Sequence, residues 1–267
     1  MQPSPPFISV IIPTHRRAHL LARAISSIRN GSPDTPLEII VVSDAVDAGT
    51  DQTCNELLSN QDTYIRRSGP PGPSASRNIG LDLARGQVIL FLDDDDAWQS
   101  GLAARLASDP VLRSGRSIYF NCSIVKERRL ENSVEILGET PLSMAGRLTE
   151  DVYLKNQVHM SCFAFPNTLV RQLRFDPTMR AYEDWDFQLA VYDQEFPQHV
   201  DIDGSRVFEV DDETTDRRGS SSNATNFNAV LDYLYVYRRH PAPSAALRAA
   251  RASLLRTCGL NIEDGMF

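Results

Sequence analysis

The sequence lacks the features that mark a membrane span, a secreted protein or a nucleic-acid-binding surface. No run approaches the roughly 18 to 20 apolar residues of a membrane span. The first residues, MQPSPPFISVIIP, contain neither the basic segment nor the long apolar segment of a secretory signal. The net charge of −8 argues against nucleic acid as a partner, because phosphate backbones are bound by clustered Lys and Arg. We therefore expect a protein that binds no nucleic acid and is not exported.

Cysteine is also scarce. The four cysteines are widely scattered without a CxxC pair, which predicts neither a zinc site nor a disulfide framework. Isolated cysteines of this kind are typical of small buried residues in a reducing compartment. We therefore expect the protein to be cytoplasmic.

Over the first hundred residues, short apolar runs alternate with amphipathic helical patterns. The predicted strands are FISVIIP, LEIIVVSDA, DTYIRRS and QVILFLDDDD, and the predicted helices are RAHLLARAISSIRNG, TDQTCNELLSN and SASRNIGLDLARG. Fully apolar strands between such helices are typical of an α/β fold with a mostly parallel sheet covered on both faces. In these sheets ligands bind beyond the carboxyl ends of the strands. The polar residues Pro13–Arg16, Ser43–Asp44 and Asp93–Asp96 should therefore converge on one crevice.

The second half of the chain is less regular. SIYFNCSIV and SRVFEVDDE are predicted strands, and EDWDFQLAVYDQ is a predicted helix. The last residues, from NAVLDYLYVYRRH onward, are predicted to be helical on both sides of a proline break. No linker is long enough to separate two independent domains, so one domain with a C-terminal helical extension is the simplest interpretation.

Four consecutive aspartates, Asp93 to Asp96, follow the apolar run VILFL. Two carboxylates about 4 Å apart repel by about 4 kcal/mol at an effective dielectric constant of 20, so the run needs a cation or full hydration. One interpretation is a solvated turn whose last Asp caps a helix. The other is a site for Mg²⁺ or Mn²⁺, because in an extended segment Asp93 and Asp95 point to the same side. A cation there would stabilise a diphosphate as a leaving group.

Two further segments carry candidate site residues. In GPSASRNIG, Arg77 could pair with a phosphate and Asn78 could hydrogen-bond a ribose or the aspartates, although an ordinary loop arginine is the alternative. In YEDWDF, Glu183 and Asp184 begin a helix whose dipole favours acids, which needs no functional explanation. A general base for a hydroxyl group is the second interpretation of this acidic pair.

Five segments in this order resemble the inverting family 2 glycosyltransferases of the GT-A fold. They are SVIIPTHRR, EIIVVSDA, GPSASRNIGLDLARG, ILFLDDDDAW and YEDWDFQLA, and the resemblance covers roughly residues 7 to 190. It implies a GT-A fold, a Rossmann-like, mostly parallel sheet flanked by helices, over residues 1–230, with a C-terminal helical extension over 231–267. Within the GT-A domain it implies a nucleotide-binding half over about 7–98 and an acceptor-binding half over about 99–230. The implied reaction is the metal-dependent transfer of a sugar from a UDP-sugar to a hydroxyl of a glycan or lipid-linked glycan.

The resemblance also implies roles for individual residues. Pro13, Thr14, His15, Arg16 and Asp44 would hold the nucleotide base, and Arg77 and Asn78 would lie against ribose or diphosphate. Asp93 would contact ribose or metal-bound water, Asp94 occupies the variable middle position of the donor-binding motif, and Asp95 would be the principal ligand of Mn²⁺ or Mg²⁺. Asp184 would be the general base, and Glu183 would orient the acceptor or the base.

The sequence departs from the family pattern in two places. The second strand ends in Ser43-Asp44 where the family often has two acids. Where many relatives have a histidine that touches metal or phosphate, this chain has Arg217 and Arg218, and an arginine can bind a diphosphate but not a cation. His159 and His240 could substitute as ligands, but surface or packing roles are the alternative for both.

The arginine-rich segment from Tyr237 onward leaves several alternatives open. It could lie weakly on an anionic membrane at the inner face of the cell membrane, pack on the body of the protein, or form a homo-oligomer contact. Alanine dominates its apolar face, which favours packing or an oligomer contact.

Three other functions compete with glycosyl transfer. A HAD-type phosphatase also uses Asp-x-Asp, but Ala97 stands where that family has Thr or Val, and Lys126 and Lys155 are the only lysines. A sugar-nucleotide pyrophosphorylase would need a Gly-rich phosphate turn, which PTHRRAHL lacks. A non-catalytic relative that binds nucleotide sugars is the third alternative.

Overall fold

The computed structural model describes residues 5–30, 34–130, 134–211, 223–257 and 259–260. The strands in this part of the chain are β1 Ile8–Thr14, β2 Leu37–Ser43, β3 Thr63–Arg66, β4 Val88–Phe91, β5 Ala97–Trp98, β6 Ile118–Arg129, β7 Val134–Leu142, β8 Phe163–Pro166 and β9 Gln198–Val210. The α-helices are α1 Ala18–Asn30, α2 Ala48–Leu57, α3 Pro73–Leu83, α4 Leu102–Ser108, α5 Pro110–Arg113, α6 Asn167–Val170, α7 Glu183–Tyr192, α8 Asn223–Arg239 and α9 Ala245–Thr257. Two short 3₁₀ helices cover Glu150–Tyr153 and Met160–Cys162.

The first four strands form the predicted parallel sheet. β1 lies between β2 and β4, with Ile8 opposite Leu37 on one side and Val88 on the other, and β3 pairs with β2. All residues of β1, β2 and β4 are buried, because helices and loops cover both faces. The parallel direction brings the carboxyl ends of these strands to one edge, as the alternating pattern predicts.

The rest of the sheet is mixed. The strand order is β3-β2-β1-β4-β8-β6-β9-β5, with β7 paired to β6. β6 and β9 are the two predicted strands of the second half and run parallel to each other. β7 and β8 were not predicted, because β7 is mostly exposed and lacks an apolar face, and a four-residue apolar run such as β8 is ambiguous by periodicity.

Close packing of α3 on β1 sets the position of one side of the crevice. Gly80 of α3 faces Ile11, and a Cβ atom at position 80 would lie 2.3 Å from the Cγ2 atom of Ile11. A larger residue would push the helix away from the sheet, since real atoms do not approach so closely. The glycine therefore fixes the distance between the sheet and the helix that carries Arg77.

An aromatic cluster attaches α7 to the end of β4. The rings of Phe175 and Phe187 are stacked with centroids 4.0 Å apart, and Phe91 meets both rings edge-on at 5.1 and 5.6 Å. Phe187 belongs to α7 and Phe91 ends β4, so the cluster holds the start of α7 near the residues that follow β4. Aromatic contacts of these geometries add to the stability gained by burial.

The C-terminal helices pack on the body of the chain. Val236 and Tyr237 of α8 and Leu255 of α9 belong to the same buried cluster as β1. Arg251 of α9 is also buried, and its guanidinium group donates to the carbonyl oxygens of Tyr153, Tyr237 and His240. This finding supports the packing interpretation of the segment after Tyr237. None of the helices in the described ranges combines the length and the apolar character that a membrane crossing requires.

Candidate active site

The chain turns immediately after β4. The backbone N–H of Asp96 donates to the carbonyl oxygen of Asp93 at 3.0 Å, which closes a turn over Asp94 and Asp95. The expectation of an extended segment with alternating side chains is therefore wrong, because alternation holds only for strand geometry. Asp93, Asp94 and Asp95 border one cleft of about 330 Å³, and the side chains of Asp93 and Asp95 are exposed to it.

Asp94 and Asp95 are neutralised by arginine. The fully buried carboxylate of Asp94 accepts hydrogen bonds from Thr14 Oγ1 at 2.7 Å and from the guanidinium group of Arg17. Burial raises the pKa of Asp94 to about 6, although Arg17 opposes the shift. Asp95 accepts from Arg17 Nη1 at 2.8 Å and lies 3.4 Å from Arg129 Nη2. The cationic partner that the acidic run requires is thus supplied by the chain, and the run alone is no evidence for a metal ion.

Asp96 differs from its neighbours. It is buried and accepts from the Ser161 hydroxyl and the Phe208 backbone N–H, each at 3.1 Å. Burial raises the pKa of Asp96 well above its usual value, and the charges of Asp93 and Asp95 add to the shift. The chain continues into β5, so Asp96 caps no helix, contrary to one of the two interpretations of the sequence.

Arg77 connects the acidic turn to α7. Its side chain is 4% exposed, and its guanidinium group lies 2.7 Å from Asp93 and 3.0 Å from Glu183. Burial opposes the charge, but the fields of Asp93 and Glu183 outweigh it and raise the pKa of Arg77. The turn after β4 and the acidic pair of α7 are therefore held together by a permanent cation.

Asp184 lies in the first turn of α7. Its carboxylate accepts from its neighbour's backbone N–H, Trp185 N, at 2.7 Å and from the side-chain amide of Asn156 at 3.1 Å. Burial and the adjacent charge of Glu183 raise the pKa of Asp184 to about 6, against the opposing field of Arg77. A carboxylate with this pKa is largely ionised at neutral pH yet more basic than an exposed one, which suits a general base.

The predicted base-binding residues lie at the neighbouring strand ends. Pro13 lines the cleft over the aspartates, and His15 lines an adjacent cleft of about 620 Å³. His15 Nδ1 hydrogen-bonds Asp44, which also accepts from the backbone N–H of Gly72 at 2.6 Å. Arg16 is exposed and has a positive φ of 52°. The two clefts share Arg17 and Pro73, so one elongated ligand could occupy both.

Asn78 is engaged elsewhere. Its amide donates to the carbonyl oxygen of Phe175 at 2.8 Å, and its carbonyl accepts from the N–H of Phe175 at 2.9 Å. Both hydrogen-bonding groups therefore hold the loop before α7, and the structure does not place Asn78 among the residues that line the two clefts.

Comparison with known proteins identifies the family. A sequence profile described as Glycosyl transferase family 2 matches residues 9–162, more than half of the chain. The chain belongs to this family. A glycosyltransferase of Campylobacter jejuni, named GalNAc(5)-diNAcBac-PP-undecaprenol beta-1,3-glucosyltransferase, is 30% identical over 233 residues, 86% of this chain and 72% of the relative. The putative colanic acid biosynthesis glycosyl transferase WcaA of Escherichia coli is 25% identical over 241 residues, covering 88% of this chain and 81% of WcaA.

Solved structures confirm the GT-A fold of the glycosyltransferase. The crystal structure of Staphylococcus aureus TarS 1-349 in complex with UDP-GlcNAc matches with a TM-score of 0.63 at 18% identity, over 93% of this chain and 71% of the TarS chain. A longer TarS chain matches with a TM-score of 0.61 and is covered to 42%. The resemblance and the fold predicted from the sequence are therefore confirmed, and the phosphatase and pyrophosphorylase alternatives are not supported.

The acidic turn of the glycosyltransferase fits a cation shared with a ligand. Within the described residues, no group of three or more His, Cys, Asp or Glu side chains could hold a metal ion. The carboxylates of Asp93 and Asp95 nevertheless reach the cleft, with side chains 45% and 25% exposed. Mg²⁺ and Mn²⁺ bind one or two carboxylates and complete their coordination with phosphate oxygens and water. The residues fit such an ion in the presence of a diphosphate, but they form no all-protein site.

Of the two histidines proposed as substitute ligands, His240 is engaged away from this turn. His240 is buried between Asp186 and Asp193, with each ring nitrogen 3.1 Å from a carboxylate, so it is a packing residue of the glycosyltransferase. His159 precedes the second 3₁₀ helix, and its pKa is lowered by burial while the charge of Asp93 opposes the shift, so His159 stays a candidate beside the turn. Arg217 and Arg218 lie outside the described residues.

Three residues of the site were missed by sequence reasoning. Arg17 directly follows the predicted Pro13–Arg16 segment, so its position next to that motif was a usable signal. Arg129 ends β6 and is held at Asp95 by the buried Glu127, 2.8 Å from Arg129 Nε. Neither Arg129 nor Asn156 stands in a motif, and no local pattern marks either residue.

Proposed function

We propose that the protein is a metal-dependent inverting glycosyltransferase that moves a sugar from a UDP-sugar to a hydroxyl of a glycan or lipid-linked glycan. The observation that carries this proposal is the bridge from Asp93 through Arg77 to Glu183, which joins the acidic turn to the helix of the candidate base. Family membership supports the reaction class, and the UDP-GlcNAc complex of TarS supports the donor class.

The donor would bind across the two adjoining clefts. We assign the base to the cleft lined by His15 and Gly72, both of which Asp44 holds, with Arg16 next to His15 in the chain. Pro13 lines the adjoining cleft, and Thr14 holds Asp94. Residues 7–98 would form this donor half, and residues 99–230 the acceptor half. Asn78 would act by holding the loop at Phe175, not by touching the donor.

The diphosphate would lie over the acidic turn. Asp95 would hold Mn²⁺ or Mg²⁺, and Asp93 would contact it through water or bind the ribose. When bound, the cation would neutralise the charge that develops on the departing diphosphate. Arg17 and Arg129, which already face Asp95, are placed to pair with phosphate oxygens.

Transfer would proceed by in-line displacement. A bond forms between the acceptor oxygen and the anomeric carbon while the bond from that carbon to the diphosphate breaks, and the electron pair leaves with the nucleotide. Asp184 takes the acceptor proton, and Glu183, fixed by Arg77, orients the acceptor or the base. The reaction inverts the configuration at the anomeric carbon.

The acceptor class rests on the relatives. The name of the Campylobacter jejuni relative contains PP-undecaprenol, and that of WcaA refers to colanic acid biosynthesis. We propose a similar glycan or lipid-linked glycan acceptor, bound from the cytoplasm at the inner face of the cell membrane. Association into a homo-oligomer and direct membrane contact of the C-terminal segment stay predictions.

Substitution of the base provides the test. Purified protein is incubated with UDP-GlcNAc or UDP-glucose and Mn²⁺, and UDP release to water is measured beside thermal stabilisation by UDP. We expect Asp184→Asn to abolish UDP release and to retain stabilisation by UDP. Undiminished UDP release by this variant would overturn the assignment of the base. Stabilisation by UDP without release from the wild type would favour the non-catalytic alternative.

A further inference from the structure

Among the residues that the structure describes, one donates a hydrogen bond to the candidate base from outside its helix. Asn156 Nδ2 donates to Asp184 Oδ2 at 3.1 Å, while Asp184 Oδ1 accepts from Trp185 N. A carboxylate with one donor on each oxygen has a fixed plane, so its remaining lone pairs have a defined direction. Asn156 itself is partly fixed, because its carbonyl accepts from Val158 N at 3.2 Å.

The segment that carries Asn156 is held by side chains of three helices. Tyr233 and Tyr237 of α8 both donate to the carbonyl oxygen of Leu154, at 2.6 and 2.7 Å. Arg251 of α9 donates twice to the carbonyl oxygen of Tyr153. Trp185 of α7 donates to the carbonyl oxygen of Val152 at 2.7 Å.

These contacts fix the backbone of the segment. Consecutive carbonyl groups of residues 152–154 accept from buried or half-buried aromatic and guanidinium side chains. Arg251 has no carboxylate partner among the described residues; its donors are satisfied by carbonyl oxygens and its guanidinium carbon lies 4.0 Å from the centroid of the Tyr237 ring. Such donors cost free energy to bury, so their convergence on three peptide groups defines the position of the segment closely.

We propose that Asn156 is a positioning residue for the base Asp184, and that the two C-terminal helices act on catalysis by holding the segment Val152–Val158. This inference rests on the proposed function, because it requires Asp184 to be the base. It makes α8 and α9 part of the catalytic unit, although none of their described side chains lines the cleft over the aspartates.

The pH dependence of the reaction reports this contact. An amide donor stabilises the ionised carboxylate, so its loss should raise the pH at which Asp184 becomes active. The other groups that act on Asp184 are the charged Glu183, Arg77 and Asp93, and the nearby Tyr192. None of these groups is altered by substitution of Asn156.

The first experiment measures kcat for UDP release from UDP-GlcNAc between pH 5 and 9. A plot of kcat against pH should fall on its acidic side, the acidic limb, as Asp184 takes up a proton. In Asn156→Ala we expect this limb to lie about one pH unit higher than in the wild type, which lowers the rate at acid pH about tenfold. Asn156→Asp keeps the shape but adds a like charge, so its limb should move further. The KM for UDP-GlcNAc should stay within about twofold, because the contact is not made to the donor.

The matched control is Asn167→Ala. Asn167 donates to the carbonyl oxygen of Gly86 at 2.7 Å near the start of β4, at the opposite end of this strand from the aspartates. We expect its pH profile to equal that of the wild type. An unshifted limb in both Asn156 variants would overturn the inference, and so would an equal shift in Asn167→Ala.

A second experiment tests the role of the C-terminal helices. The double variant Tyr233→Phe/Tyr237→Phe removes two hydroxyl donors to Leu154 and keeps both rings. We expect a lower kcat and an upward shift of the acidic limb that is smaller than in Asn156→Ala. Combined with Asn156→Ala, the two Phe substitutions should add no further shift, because the effect passes through Asn156. Fully additive shifts would overturn the role given to the helices.

Failure of the proposed function and failure of this inference give different results. If Asp184→Asn is fully active, the base assignment fails and this inference fails with it. If Asp184→Asn is inactive and both Asn156 variants have the wild-type pH profile, the proposed function stands and the inference alone is refuted.

Discussion

The guanidinium group of Arg77 lies 3.0 Å from the carboxylate of Glu183, although 106 residues separate them in the chain. The same group contacts Asp93 at 2.7 Å, so one buried side chain joins the carboxyl end of β4 to the start of α7. This geometry explains how the turn after β4 and the helix that carries the candidate base are kept in a fixed relative position. Planar guanidinium groups with several donors suit such bridges better than an ammonium group does.

Replacement of Arg77 tests the bridge. Arg77→Lys keeps the charge but cannot reach both carboxylates with the same geometry, so we expect the free energy of unfolding to fall by about 1–3 kcal/mol. UDP release should fall at least tenfold. Urea denaturation and kinetics provide the two measurements.

Arg85→Lys is the control for that variant, because Arg85 pairs with Glu38 and lines a cleft at the opposite edge of the sheet. It should keep wild-type kinetics. Normal turnover in Arg77→Lys would contradict the role given to the bridge.

Asp95 is expected to control the dependence on metal. In Asp95→Asn the neutral amide is a weaker ligand for a hard cation, so the Mn²⁺ concentration for half-maximal UDP release should rise at least tenfold. Asp82→Asn is the control, since Asp82 is exposed and pairs with Arg174. An unchanged Mn²⁺ titration in Asp95→Asn would remove Asp95 as the principal ligand.

The pH profile of the wild type should report Asp184. Burial and Glu183 raise the pKa of this carboxyl to about 6. The base acts when deprotonated, so UDP release should be constant above that pH and should fall tenfold for each unit below it. A raised pKa also means that the fold loses stability as Asp184 ionises, between the ordinary carboxyl pKa and about 6, so the wild type should lose more stability than Asp184→Asn when the pH is raised from 4 to 7. An equal loss in the two proteins would show that burial does not disfavour the charge.

Gly80 should tolerate no side chain. In Gly80→Ala the new Cβ would lie 2.3 Å from Ile11 Cγ2, so we expect a loss of about 1–3 kcal/mol in the free energy of unfolding. Gly138→Ala is the control, because nothing lies within 4 Å of a Cβ atom there. Ile11→Ala removes the clashing atoms, so Gly80→Ala should cost less in that background when both are measured by urea denaturation. An equal cost in the two backgrounds would place the strain elsewhere.

Local patterns in the sequence determined the main elements of the fold and the place of the crevice. The apolar runs of β1, β2 and β4 predicted a parallel sheet, and the polar residues at their ends predicted one crevice. The proline break predicted the two C-terminal helices, and five short motifs predicted the family. These features follow from burial and backbone preference within a few residues, which a single sequence displays directly.

The tertiary structure alone decided which groups meet in that crevice. The aspartates form a turn and not an extended strand, and Asp95 pairs with Arg17 and Arg129. Asn78 holds the loop at Phe175. Asn156 lies beside Asp184. Hydrogen bonds and ion pairs form between whichever groups packing brings within about 3 Å, and elements far apart in sequence supply them. Periodicity indicates that a residue is buried, but it carries no information about which group will hydrogen-bond or pair with its side chain.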